Sequence, residues 1–151
     1  MREILFRGKR KDTGEWVEGY LLRPNPQVCR ASEVHECVIG YQANLLEGYR
    51  FHEVVPETVG QFSGVSDSNG VKIFEGDVLL IQFEEDNYPE CNPAVWAEQA
   101  TVVYSTEHHG WYAAFANGEE LSMWEYDGED GVVVVGNIYD NPELLEVTDH
   151  A

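Results

Sequence analysis

The chain has 151 residues, with 28 Asp and Glu against 9 Lys and Arg and a formal net charge of −19. That length fits one domain, or one domain with an appended subdomain. An apolar fraction of 43% with 12% aromatic residues excludes a disordered chain, because disorder goes with a shortage of groups that bury well.

The charge is unevenly placed. Met1 to Arg30 carries seven Lys and Arg against four acids, whereas Ile73 to Ala151 has 18 Asp and Glu and no Lys or Arg. Such a field repels phosphate backbones and favours cationic partners. No segment approaches the ~20 apolar residues of a membrane helix. The longest aliphatic runs are Val78 to Ile81 and Val132 to Val135. Arg7 interrupts any apolar signal region, so a cytoplasmic protein is expected. Cys29, Cys37 and Cys91 make an odd count, which suggests reduced thiols. Cys37, beside Val38 and Ile39, reads as a small buried side chain.

In chain order the pattern is mainly β. Glu3 to Leu22 reads as a hairpin turning at Asp12-Thr13-Gly14, where glycine takes the positive φ of a tight turn. Arg23-Pro24-Asn25-Pro26 is a loop, since neither proline donates to a ladder. Glu36 to Tyr41 and Glu57 to Phe62 are strand candidates. Asn69-Gly70 is a strong turn signal, because both residues tolerate the left-handed region.

Val71 to Phe74 and Val78 to Phe83 follow as strands, broken at Glu75-Gly76-Asp77; Leu79, Ile81 and Phe83 share one face of the second. Glu84 to Pro93 is an acidic loop. Val95 to Ser105 and Trp111 to Phe115 are strands joined by a turn at His108-His109-Gly110, and Asn117-Gly118 repeats the hairpin signature. Leu121 to Tyr126 is a strand or one short helical turn. Gly128 to Gly131 is a turn, and Val132 to Tyr139 reads as a buried strand from its β-branched content. Asn141-Pro142-Glu143 is a helix start, with one or two turns that would fold Leu144 and Leu145 onto the sheet. Turns about every ten residues suggest a small barrel or sandwich.

Three segments resemble the YopX family of phage and prophage proteins: Met1 to Arg7, Gly60 to Val78, and Val135 to Leu145. The resemblance implies a bacterial or phage genome and a mainly β protein with an SH3-like barrel in its C-terminal part. The expected division is an N-terminal β-hairpin-containing subdomain over 1–56 and the barrel over 57–151, or one integrated domain over 1–151, with a short C-terminal helix. It carries over no catalytic residues. The motifs have a structural account of their own. Asn69-Gly70 makes a turn, Gly76 permits a bend, Asp77 bonds nearby backbone amides, and Gly136 leaves room for a neighbour.

Chemical constellations are sparse. Cys29, His35, Cys37 and His52 are zinc-ligand types, but their spacing matches no compact knuckle. Glu84-Glu85-Asp86 with Glu90, and Asp127-Gly128-Glu129-Asp130, lack a calcium-loop pattern and read as solvated acidic loops. Gly60 to Gly64 is G-x-x-S-G, not a nucleophile elbow. His108-His109 could supply a base but reads as an exposed turn. There is no phosphate-binding or dinucleotide glycine motif. Trp16, Trp96, Trp111 and Trp124 read as core anchors.

No catalytic, cofactor or metal residue is therefore assigned. The expected function is that of a non-catalytic, phage-encoded accessory protein whose acidic surface binds a basic host or phage protein. A sharper version is nucleic-acid mimicry. The alternatives are a homo-oligomer pairing its basic hairpin with its acidic half, and a metal-dependent enzyme. Direct nucleic-acid binding is not expected, because the basic stretch Arg7 to Lys11 is short and abuts Asp12.

Overall fold

Alternating side chains and glycine turns give eleven strands among the described residues, arranged in antiparallel sheets. The structure, a computed structural model, describes residues 3–22, 37–85, 94–126 and 130–146. Cys29, His35, Cys91, and the acids Asp86, Glu90, Asp127 and Glu129 lie outside the described residues. The chain divides into two compact units, Met1–Phe62 and Ser63–Ala151.

The first unit opens with the expected hairpin. Strand β1 (Phe6–Lys9) pairs with β2 (Trp16–Leu22). Gly14 sits at φ 75° and donates its N–H to the Arg10 carbonyl. Strand β3 (Val38–Asn44) pairs with β2 and with β4 (Gly48–Glu53). The sheet order here is β4-β3-β2-β1, and β1 pairs on its other side with residues Gly60 and Gln61. Val17, Cys37, Ile39 and Val54 form its core, with Phe6, Leu21, Tyr41 and Val59 packed against them.

The strand expected from Glu57 starts late. Pro56–Thr58 is a single 3₁₀ turn, closed by the Thr58 N–H on the Val55 carbonyl. The Thr58 hydroxyl accepts the Lys9 N–H at 2.9 Å and donates to the Val55 carbonyl at 2.6 Å. Local bonds thus hold these residues in a turn, and β5 (Gly60–Ser66) begins only after it.

From Ser63 onward β5 belongs to the second unit, where β6 (Lys72–Phe74) flanks it. The strands that follow are β7 (Asp77–Glu85), β8 (Ala94–Ser105), β9 (Gly110–Phe115), β10 (Glu120–Ser122) and β11 (Val132–Asn137). A 3₁₀ turn at Met123–Tyr126 follows β10, so both expected forms of that stretch occur in succession. These strands form a sheet in the order β10-β9-β8-β7-β11. Leu79 and Ile81 face its core with Ala100, Val102, Ala113 and Met123, and Phe83 packs against that cluster as the alternation requires.

The SH3-like barrel is a point of correction. Closure requires the two edge strands to pair, and β10 and β11 stand at opposite ends of an open sheet among the described residues. The run Val132 to Val135 is also less buried than its composition predicts. The register shifts between Val134 and Gly136, and this irregularity turns Val135 outward, 41% exposed. The expected C-terminal helix amounts to one turn, α1 (Glu143–Glu146). The Asn141 side-chain oxygen accepts the Asn137 N–H at 3.3 Å, while its backbone carbonyl accepts the Leu144 N–H at 3.0 Å. The Leu145 side chain lies outside the described residues.

Candidate functional site

Charge is the property that distinguishes the second unit. Of the 28 acids, 19 lie in Ser63–Ala151 against the single base Lys72, whereas the first unit holds nine acids and eight bases. Two of the 19 are structural. Asp67 and Asp77 are 2% and 1% exposed. The Asp67 carboxylate accepts the N–H groups of Asn69 and Val71 at 2.9 Å and that of Val134 at 3.0 Å. Asp77 accepts the Phe74 N–H at 2.8 Å. Each therefore satisfies backbone donors that burial would otherwise leave unpaired.

The Gly60 to Val78 and Val135 to Leu145 segments meet in space around these acids. The Ser68 hydroxyl and N–H both donate to the Val132 carbonyl at 2.9 Å. Gly76, at φ 88°, accepts the Ile138 N–H through its carbonyl at 2.9 Å. A Cβ at Gly136 would lie 2.5 Å from the Asn141 side-chain oxygen. Asn137, itself buried, accepts the N–H groups of Tyr139 and Asp140. The Gly60 to Val78 and Val135 to Leu145 segments thus form a hydrogen-bonded framework.

The remaining described acids mostly face solvent: Glu84, Glu85, Glu98, Glu119, Glu120 and Asp130 are exposed. Among them stand aromatic rings that the sequence pattern assigned to the core. Trp124 is 82% exposed, although the preceding Met123 is fully buried. The two neighbours share one short turn, so seating Met123 inward leaves Trp124 outward. Trp96 is 41% exposed and stacks on Phe83 at 5.8 Å. Trp111 alone of the four packs against the main core cluster. Trp16 carries the Arg7 guanidinium 4.7 Å and the Lys9 ammonium 5.7 Å from its ring centre. The exposure of Trp124 and Trp96 escaped prediction because composition cannot say which side of the backbone a ring takes.

The basic N-terminal stretch is engaged locally. Arg10 grips Asp12 through two hydrogen bonds of 2.9 and 2.7 Å, and Lys11 pairs with Glu53 at 3.0 Å. The Arg10 hydrogen bond, reinforced by its charge, holds the Asp12 carboxyl below its usual value; the same contact raises the Arg10 guanidinium.

Among the described residues the candidate catalytic and metal groups do not converge. His108 and His109 are exposed on the β8–β9 turn, with the Ser105 hydroxyl accepting the His108 N–H. Cys37 is buried in the first unit's core, while His52 stacks on Tyr41 at 5.6 Å. Among the described residues no group of three or more His, Cys, Asp or Glu is placed to hold a metal ion. A depression of about 180 Å³ lined by Val78, Gln99, Thr101, Ala114 and Phe115 contains no titratable side chain. Among the described residues no helix is long and apolar enough to cross a membrane.

Comparison with known proteins matches residues 5–146 to the family described as YopX protein. The chain belongs to the YopX family. The match spans both units of this YopX chain, including the framework around Asp67 and Asp77. None of the curated proteins matches it. Among solved structures, the crystal structure of protein EF1440 from Enterococcus faecalis is similar, with a TM-score of 0.52. The two share 19% identity over 96% of this chain and 99% of that one, a likeness of fold.

Proposed function

We propose that this YopX chain is a non-catalytic, phage- or prophage-encoded accessory protein. It acts in the bacterial cytoplasm by binding a basic host or phage protein through its second unit. The observation that carries this reading is the uncompensated charge of Ser63–Ala151, 19 acids against Lys72. Only Asp67 and Asp77 among its described acids are buried within the framework. The outward carboxylates speed encounter with a cationic surface and select against anionic ones.

Trp124 supplies what charge lacks. Charge at an interface rim sets on-rate more than affinity. A solvent-facing indole, anchored by buried Met123, offers a large apolar area and a face for a Lys or Arg cation.

The test is capture from host lysate by the immobilised full chain, with Trp124→Ala and the double variant Glu119→Gln/Glu120→Gln beside it. Basic proteins are expected at low salt, reduced at high salt where screening is short-ranged, and lost with Trp124→Ala. Capture that is indifferent to both salt and the variants would contradict the proposal.

A further inference from the structure

The first unit carries a second solvent-facing surface, of opposite character. Register places Tyr20 of β2, Gly40 of β3 and Phe51 of β4 side by side, so all three lie on one face of the sheet. Gly40 makes room for its neighbour: a Cβ there would stand 2.7 Å from the Phe51 ring. Tyr20 is 64% and Phe51 58% exposed. Tyr49, paired with Gln42 on the same face, is 63% exposed.

The β3–β4 turn extends this surface. Leu45 and Leu46 are 96% and 99% exposed. Their turn is nonetheless held in place. The Asn44 side-chain oxygen accepts the N–H groups of Leu46 and Glu47 at 2.9 and 2.6 Å, and Arg50 pairs with Glu47 at 2.6 Å. A bonded turn that presents two bare leucines beside three exposed aromatics forms an apolar patch of the kind that marks a contact site.

Electrostatics selects the occupant. Two copies of a chain with a net charge of −19 repel one another. That repulsion comes from the second unit; the first, with eight bases and nine acids, is nearly neutral. Its charges also cancel at short range, as Arg10 with Asp12, Lys11 with Glu53 and Arg50 with Glu47 show. An interface built from the same patch on both partners must be self-complementary. A neutral face rich in Tyr, Phe and Leu meets that condition, and a single-signed acidic face does not.

We infer that this face is a self-association surface: two copies meet through Tyr20, Tyr49, Phe51 and the Leu45–Leu46 tip of the first unit. The inference does not depend on the basic-partner reading, which concerns the other unit.

Sizing coupled to light scattering over a range of protein concentration tests it, at low and at molar salt. The wild-type chain is expected to dimerise with rising concentration and to hold together better in high salt, since screening removes repulsion and leaves apolar contact intact. Leu45→Ser/Leu46→Ser and Tyr49→Ser are expected to weaken the dimer about tenfold or more. These side chains are exposed, so the variants keep the wild-type circular dichroism. Glu84→Gln/Glu85→Gln in the second unit is expected to leave the dimer intact. A monomer under every condition overturns the proposal. So does self-association that salt dissolves, which signals head-to-tail ion pairing, or a dimer that the serine variants do not weaken. A patch that captures only a foreign protein, with the chain itself monomeric, counts against it equally.

Discussion

The Asp67 carboxylate accepts the Val134 backbone N–H at 3.0 Å, across 67 positions of sequence. Its other oxygen holds the Asn69-Gly70 turn through the N–H groups of Asn69 and Val71. One buried acid therefore ties the β5–β6 hairpin to the sheet-edge strand β11. Asp67→Ala would leave three amides without their acceptor and is expected to destabilise the second unit by about 3 kcal/mol. Asp67→Asn retains one accepting oxygen and is expected to cost roughly half as much. Urea unfolding of the two variants checks the ordering.

The first unit has its own tight contact. A Cβ at Gly19 would fall 2.2 Å from the Gly40 carbonyl oxygen. Backbone cannot swing aside as a side-chain end can, so the β2–β3 pairing itself must shift. Gly19→Ala is expected to cost ~3 kcal/mol or more and to loosen amide protection in β2 and β3. Hydrogen exchange resolved by residue would show whether β7 to β9 keep theirs, as expected.

Met123 and Trp124 are adjacent and lie at opposite extremes of burial. Met123→Ala opens a cavity in the second unit's core and is expected to cost about 2–5 kcal/mol. Trp124→Ala is expected to change stability by no more than about 0.5 kcal/mol while abolishing partner capture. Thermal melts run beside the capture assay separate the two effects.

Arg10 depresses the Asp12 carboxyl mainly through their paired hydrogen bonds. An acid whose folded pKa lies below its unfolded value adds stability above the unfolded value and loses it as pH falls through the folded one. Asp12 is exposed and Arg10 only half-buried, so the effect on the unfolding midpoint is small. The carboxyl resonance of Asp12 is expected to titrate below the ordinary aspartate range, and Arg10→Gln to move it back up. An unchanged midpoint in that variant would contradict the assignment.

Much of the strand pattern was legible in the residues. Gly14, Gly70 and Gly118 mark turns because their positive φ is steeply disfavoured for other residues, and the β7 alternation placed Leu79, Ile81 and Phe83 on one face. Strand β4 escaped notice because Gly48–Glu53 buries none of its residues and exposes three in succession, Tyr49 to Phe51, leaving little contrast between two faces. Glu57 misled because Pro56 and Thr58 close a turn by bonds that no alternation pattern reveals.

The surface divides along the same line. Charge is a sum over residues, and the 19 acids against one base in Ser63–Ala151 follow from composition whatever the fold. Which acids sink into the framework, as Asp67 and Asp77 do, and which rings turn outward, as Trp124 and Phe51 do, depends on contacts between residues far apart in the chain. Local pattern carries periodicity and turn chemistry; burial is set by what packs on the other side, and only the folded chain supplies that neighbour.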